Sequence, residues 1–388
     1  MHNGQPSILL RDPLQLTDRA MVIPQELGPA LALCDGTRDA SAIHAALVIR
    51  FGLRVATNAV ERLLAALDDA FLLENERFVQ ARDLALAEYR QAPSRPPAGA
   101  GQSYPADAEA LRRQLQSYLD QAEESPPVPA GVRGLISPHI DYARGGTVYA
   151  QVWKRAAEAA NAAETVVVLG TDHYSENNLL TLTRQNYATP FGVLPTATGL
   201  VDALADAIGP QRAFAGELHH RGEHAIELAA IWLHYIRKEK PCELVPILCG
   251  SFQRYVQGEA SLQEDDLLNA FVNAGRKLLA KQRTLVVAAA DLSHVGPAFG
   301  GQPLGLVERG RLRAADEGLT ERVCAGDPWG FFGAIQRIGD RHNVCGLPPI
   351  YLALRLLAPA WGDNVAYQLC PADDAGTSLV SICGILFR

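Results

Sequence analysis

The spacing of apolar positions changes character near residue 91. Before it, apolar residues recur at helical intervals. Gln25 to Leu33 reads as a short helix halted by Cys34-Asp35-Gly36, a turn signal. Asp39 caps a second helix that runs through Phe51, with Ile43, Ala46, Leu47 and Phe51 on one face. Asn58 to Leu67 is a third, burying Val60, Leu63, Leu64 and Leu67. Phe71 to Val79 then alternates around Glu74-Asn75-Glu76 in the manner of a tight hairpin, and Asp83 to Gln91 is helical. The pattern predicts a small, mainly helical, winged-helix-like module over residues 1–91. Ala92-Pro-Ser-Arg-Pro-Pro-Ala-Gly-Ala-Gly opens a Pro/Gly linker, 92–104.

From residue 105 to 388 short apolar runs alternate with amphipathic stretches. Asp107 to Glu123 is a helix with Leu111, Leu115 and Leu119 one turn apart, and Ser125-Pro-Pro-Val-Pro leads to a strand at Val132 to Ile136. Strands follow at Thr165 to Gly170, Leu244 to Leu248 and Thr284 to Ala290, each short and rich in β-branched residues, as fully buried strands are. Short extra strands are expected at Leu179 to Thr183 and around Phe191. Helices are expected at Thr147 to Ala157, Leu200 to Ile208, Glu223 to Ile236, Gln263 to Lys281, Leu312 to Cys324, Pro328 to Ile338 and Pro349 to Leu357. Val365 to Leu369 and Leu379 to Phe387 close the sheet. Such alternation predicts an α/β domain, a mostly parallel sheet with helices on both faces.

Composition narrows the function classes. A net charge of −8 argues against a nucleic-acid binder, which needs a basic face. No apolar run approaches the ~20 residues of a membrane span, and no secretory signal pattern opens the chain. The seven cysteines are an odd number with no Cys-x-x-Cys pair, so a reduced compartment fits better than a disulfide scaffold. A cytoplasmic protein is the expectation.

Three of the predicted strands end alike. The first runs into Ser137-Pro-His139, the next into Thr171-Asp172-His173, and a later one into Asp291-Leu-Ser293-His294. Carboxyl ends of parallel strands share one edge of the sheet, where ligands bind, so residues far apart in sequence can converge there. A fourth cluster, His219-His220-Arg-Gly-Glu223-His224, sits at a helix start. Six of the ten histidines fall in or beside these segments. Imidazoles with a carboxylate suit a divalent ion such as Fe(II) or Zn(II). His139 and His173 are the first candidates, Asp291 or Glu223 the anionic third, and His224 or His294 the acid/base group. Asp141, Tyr142, Asp172 and Ser293 are expected to line the pocket. His2, His44, His234 and His342 read as structural.

Other chemistries lack their motifs. No glycine-rich dinucleotide or phosphate loop occurs, and neither Gly-x-Ser-x-Gly nor His-Glu-x-x-His is present.

Two resemblances follow from these residues. Leu33-Cys-Asp-Gly-Thr, Ile43-His-Ala-Ala-Leu and Phe51-Gly resemble the PqqD-like modules that bind leader peptides, against a plain accessory module without a ligand. Gly101-Gln-Ser-Tyr-Pro, Ser137-Pro-His-Ile-Asp-Tyr, Leu169-Gly-Thr-Asp-His, Glu223-His-Ala-Ile-Glu, Asp291-Leu-Ser-His and Asn343-Val-Cys-Gly-Leu-Pro-Pro-Ile resemble the Memo family, in its AmmeMemoRadiSam system protein B branch.

The second resemblance implies a fold similar to the class III extradiol dioxygenases, with a non-haem iron in the pocket. It places metal positions at His139, His173 and Ser293, with His224 lining the pocket. Ser293 stands where the family has a Cys, so the third ligand is expected to be missing or replaced by Asp291, His294 or water. Loss of that thiolate favours Fe(II) or Zn(II), or a site without an ion. The implied activity is dioxygenase-type redox chemistry on a small molecule. The alternative is a non-enzymatic pocket for a peptide or partner, with AMMECR-like and radical-SAM proteins as the implied partners.

Overall fold

The computed structural model describes residues 6–388 except 18, 54, 57, 123–130 and 176–177. His2 and the Ser125-Pro-Pro-Val-Pro stretch lie outside the described residues. The chain divides into two compact units, Met1–Gln91 and Ala92–Arg388.

In the smaller unit an antiparallel pair, β1 (Ser7–Arg11) and β2 (Ala20–Pro24), precedes four helices. These are α1 (Gly28–Ala32), α2 (Ala40–Phe51), α3 (Ala59–Asp69) and α4 (Glu76–Gln91). Asp39 caps α2 by accepting the Ala42 N–H, and Gly52 at φ +66° ends it. Ile23, Ile43, Leu47, Val60, Leu63 and Leu67 form the core. The hairpin expected over Phe71 to Val79 does not form. The Asn75 side chain accepts the Phe78 N–H at 3.0 Å, a cap that starts α4 inside the alternating run. The hairpin therefore stands ahead of the helices, and the winged-helix-like order of helices followed by hairpin is absent among the described residues.

The larger unit is a three-layered α/β body. It begins with α5 (Ala108–Gln121), β3 (Gly134–Ser137), α6 (Tyr142–Ala162) and β4 (Thr165–Thr171). Short strands β5 (Leu180–Leu182), β6 (Tyr187–Thr189) and β7 (Gly192–Leu194) lead to α7 (Thr198–Ile208), α8 (Pro210–Ala213), α9 (His219–Gly222) and α10 (Ala225–Ile236). After β8 (Glu243–Cys249) come α11 (Gln253–Val256), α12 (Asp266–Leu279), β9 (Thr284–Ala289) and β10 (His294–Val295). The helices α13 (Leu306–Cys324), α14 (Pro328–Arg337) and α15 (Leu347–Leu357) precede β11 (Gly362–Pro371) and β12 (Leu379–Phe387).

The sheet order is β10-β12-β3-β9-β4-β8-β5, with β11 also on β12. The centre, β3-β9-β4-β8, is parallel; β5, β10, β11 and β12 are antiparallel additions. Alternation along each strand sends side chains to two separate cores. Leu285, Val287 and Ala289 face one, which α5, α6 and α10 cover. Val286 and Ala288 face the other, beneath α7, α12 and α15. The Gly145-Gly146 pair permits close approach at α6: a Cβ on Gly146 would lie 2.4 Å from the Tyr118 ring of α5.

Residues 92–104, read as a linker, are packed into this unit. Arg95 is fully buried, pairs with Glu227 and donates to the carbonyls of His220 and Glu223, each at 2.7 Å. The N–H groups of Ala98 and Gly99 reach Glu227 at 2.8 Å, and the Tyr104 hydroxyl ends there too. A buried carboxylate is tolerable only with such a full set of donors. No helix among the described residues is long and apolar enough to cross a membrane.

Candidate metal centre

The central strand order decides which strand endings meet. β3 and β4 flank β9, so the residues just past all three lie side by side. Strands are ~4.8 Å apart, and side chains leaving β3 and β4 close over the end of β9. The rings of His139 and His173 meet edge to face with centroids 5.1 Å apart. His224 joins them, stacked on His173 at 5.1 Å and edge-on to His139 at 5.6 Å.

Each ligand-type histidine has one nitrogen occupied. His139 Nδ1 is 3.0 Å from the Ala289 carbonyl, which fixes the proton there and turns Nε2 inward. That Nε2 lies 3.3 Å from the Cys345 sulfur. His173 Nδ1 is 3.0 Å from a Glu223 oxygen, and a donor atom of its ring lies within 4.8 Å of the Cys345 sulfur. The donor atoms of His139, His173 and Cys345 all lie within 4.8 Å of one another, as do those of His173, Glu223 and His224. The His139–His173–Cys345 group fits a transition metal: two imidazoles and a thiol face one point, their far sides held by a carbonyl and a carboxylate.

Glu223 is buried and works as a hub rather than as an acid. It accepts the N–H groups of His173 (3.0 Å), His224 (2.8 Å) and Ala225 (3.0 Å), and lies 3.1 Å from His224 Nδ1. Burial alone raises its pKa, but His173 and His224 outweigh that and hold it well below the usual carboxylate range. Burial likewise raises the Cys345 thiol, and His139 and His294 reverse the shift, so the thiol sits well below its ordinary value. Burial opposes the charged form of His139, yet Asp291 and Cys345 push its pKa up to about 9. His173 and His224 keep 35% and 40% of their side-chain surface exposed, so the cluster is open to solvent. A cavity of about 210 Å³ opens on His173 and Cys345, lined also by Asp172.

Four expected site residues do other work. Asp291 commits one carboxylate oxygen to the backbone, accepting from the N–H of His139 (2.9 Å) and Ile140 (3.4 Å); the other is 3.7 Å from His139 Nε2. Ser293 is buried and donates to Asp316 at 2.7 Å, outside the donor cluster. Tyr142 is buried against Tyr149 and Trp232, with its hydroxyl donating to the Leu228 carbonyl. Asp141 caps α6 and pairs with Arg144. Asp172 lines the cavity but spans to His219 Nδ1 at 2.9 Å and to the amides of Tyr174 and Ser175. His220, from the same histidine cluster, is buried between Tyr187 and the Thr181 carbonyl, away from the donors.

Cys345 is the residue missed from the sequence. It stands on no strand ending but on the loop before α15. Asp340 and Asn343 shape that loop at φ +48° and +49°, a region Asp and Asn tolerate better than most residues. Gly346 lets it lie against β9's end: a Cβ there would sit 2.2 Å from the Asp291 carbonyl oxygen. His294 follows the end of β9 with its Nδ1 3.2 Å from the Leu292 carbonyl, and its charge lowers the pKa of the Cys345 thiol.

Comparison with known proteins agrees with this architecture. The profile of the Memo-like protein family matches residues 95–377. A MEMO1 family protein of Thermus thermophilus is 30% identical over 329 residues, 82% of this chain and 90% of the relative. One from Aquifex aeolicus is 27% identical over 298 residues, 75% and 73% of the two chains. Another, from Methanopyrus kandleri, is 27% identical over 309 residues, 76% of this chain and 99% of its own. The matched span holds every residue of the donor cluster, and the chain belongs to the Memo-like protein family.

Proposed function

We propose that the chain binds a divalent transition metal, Fe(II) or Zn(II), through His139, His173 and Cys345, and that the centre serves oxidoreductase chemistry on a small molecule. The observation that carries this is the orientation of the two imidazoles. Their Nδ1 atoms are tied to Ala289 and Glu223, while a ligand atom of each ring lies within 4.8 Å of the same sulfur. Three protein ligands leave room for a substrate, which separates catalytic from closed structural sites. When bound, the ion supplies Lewis acidity and, as iron, one-electron redox capacity.

The remaining groups have roles of their own. Glu223 orients His173 and keeps its Nδ1 protonated. His224 has Nδ1 on Glu223 and, among the described residues, no hydrogen-bond partner on its other nitrogen, and its exposed ring is placed to take or give a proton. His294 holds Nδ1 to the Leu292 carbonyl at 3.2 Å and borders Cys345 from the other side. Asp291 pins the loop carrying His139.

Elemental analysis of the full chain purified without chelator tests the proposal, with one ion per chain expected. His139→Ala, His173→Ala and Cys345→Ala should each lose it. Oxygen uptake with catechol-type substrates after Fe(II) loading tests the redox part. A wild-type protein free of stoichiometric metal after loading would rule the centre out.

A further inference from the structure

Beside the donor cluster lies a larger cavity of about 680 Å³. That is within the size of small-molecule sites, roughly 300–1,000 Å³, whereas the 210 Å³ cavity at the donors has room only for a ligand's reacting end. Asn343 lines both, and its Nδ2 donates to the His294 carbonyl at 3.0 Å. The His294 backbone N–H donates to the His342 carbonyl at 2.7 Å, which holds β10 to the loop that carries Cys345. The His294 ring packs edge-on against Phe299, a wall of the larger chamber, with 5.1 Å between centroids. His294 thus stands at the chamber wall beside that loop.

The chamber walls carry two kinds of chemistry. Phe299, Leu304 and Leu312 are apolar; Arg311, Arg341 and His342 are cationic or can become so. Its carboxylate, Glu308, is turned to the backbone and accepts the Gly305 N–H at 3.1 Å. The neighbouring arginines are engaged: Arg309 donates to the Gly376 carbonyl and Arg313 pairs with Glu317. The guanidinium groups of Arg311 and Arg341 have no hydrogen bond or ion pair among the described residues. A guanidinium fork matches carboxylate and phosphate oxygens in pairs.

We infer that this chamber binds a small organic anion with an apolar body. Its oxyanion lies on Arg311 and Arg341 and its body against Phe299 and Leu304. The far end points to His294, a direction that rests on the metal-centre reading, whereas the binding itself needs no ion.

Calorimetric titration of the full chain with phenylacetate and with phenyl phosphate tests this, with phenylacetamide as the uncharged counterpart. Saturable one-site binding of either anion is expected, at least tenfold tighter than the amide; which anion binds separates carboxylate from phosphate. Arg311 and Arg341 are exposed, so Arg311→Gln with Arg341→Gln should fold normally and weaken binding at least tenfold. Leu304→Trp, checked for folding by circular dichroism, replaces the apolar wall with a bulkier ring, keeps both arginines and should weaken binding at least tenfold. Metal content measured on the same preparations should not change, so failure of the chamber and failure of the metal centre are read separately. Binding of neither anion, equal binding of the amide, or anion binding of unchanged affinity in either variant overturns the assignment.

Discussion

Glu223 holds His173 by both its amide and its ring: one carboxylate oxygen lies 3.0 Å from the backbone N–H and 3.0 Å from Nδ1. The ring can then turn only its other nitrogen to Cys345. Partners of this kind typically change metal affinity by about 10–100-fold. Glu223→Gln should weaken metal binding by that much, since the amide cannot keep the charge that holds the imidazole. Chelator competition against the wild-type protein measures it, with equal affinities counting against the role.

Ser293 and Cys345 should separate cleanly. Ser293→Ala removes a buried hydrogen bond to the Asp316 carboxylate, which keeps its contact with the Tyr367 hydroxyl at 2.8 Å. A loss of about 1.5–3 kcal/mol is the usual size for a hydrogen bond to a charged group, with metal content unchanged. Cys345→Ser should do the reverse, keeping most stability and losing metal. Urea unfolding and elemental analysis on the same two variants report both quantities.

Arg95 ties the segment after residue 91 to the loop that carries Glu223 and His224. Its guanidinium is fully buried, and Arg95→Met strands the Glu227 carboxylate. Breaking a buried pair on one side costs about 3–5 kcal/mol. Denaturant unfolding should show a loss of that order, and metal affinity should fall as the carbonyls of His220 and Glu223 lose their donor. A loss under about 1 kcal/mol would mean the pair is solvated.

His220 gives a pH dependence with a defined sign. Burial lowers its pKa from the ordinary 6.5 to about 3, so the folded protein keeps it neutral. Between these values the unfolded chain binds a proton that the native chain does not. Stability is therefore full above the unfolded value and falls as pH drops through the window, by about 1.4 kcal/mol per pH unit. Below the folded value the loss levels off. His220→Gln should flatten that slope in urea unfolding measured from pH 7 to pH 4.

Much of the site was legible because three parallel strands end in chemistry-bearing residues, and strand endings share an edge. His139 and His173 were found that way, and Asp291 sits at the same edge but holds backbone amides. Cys345 was not, because it reaches the edge from a helix-capping loop whose path only the tertiary fold determines. The third donor was sought at Asp291, His294 or water because Ser293 lacks a thiol; Asp316, on α13, takes the Ser293 hydroxyl, and Asp291 is held by the His139 and Ile140 amides. In the smaller unit alternation around Asn75 resembled a hairpin, yet the same Asn is a strong helix cap, and capping won. The run 92–104 looked like a linker by its Pro and Gly content. The single Arg95, whose partner lies 132 residues on, anchors it instead.

Zinc-edge X-ray absorption of the metal-loaded full chain bears most directly on the donor set. One sulfur at about 2.3 Å with nitrogens at about 2.0–2.1 Å is predicted, and Cys345→Ser, which is expected to lose the ion, should give no sulfur contribution. A stoichiometric ion surrounded only by nitrogen and oxygen, or a sulfur signal that persists without Cys345, would contradict it.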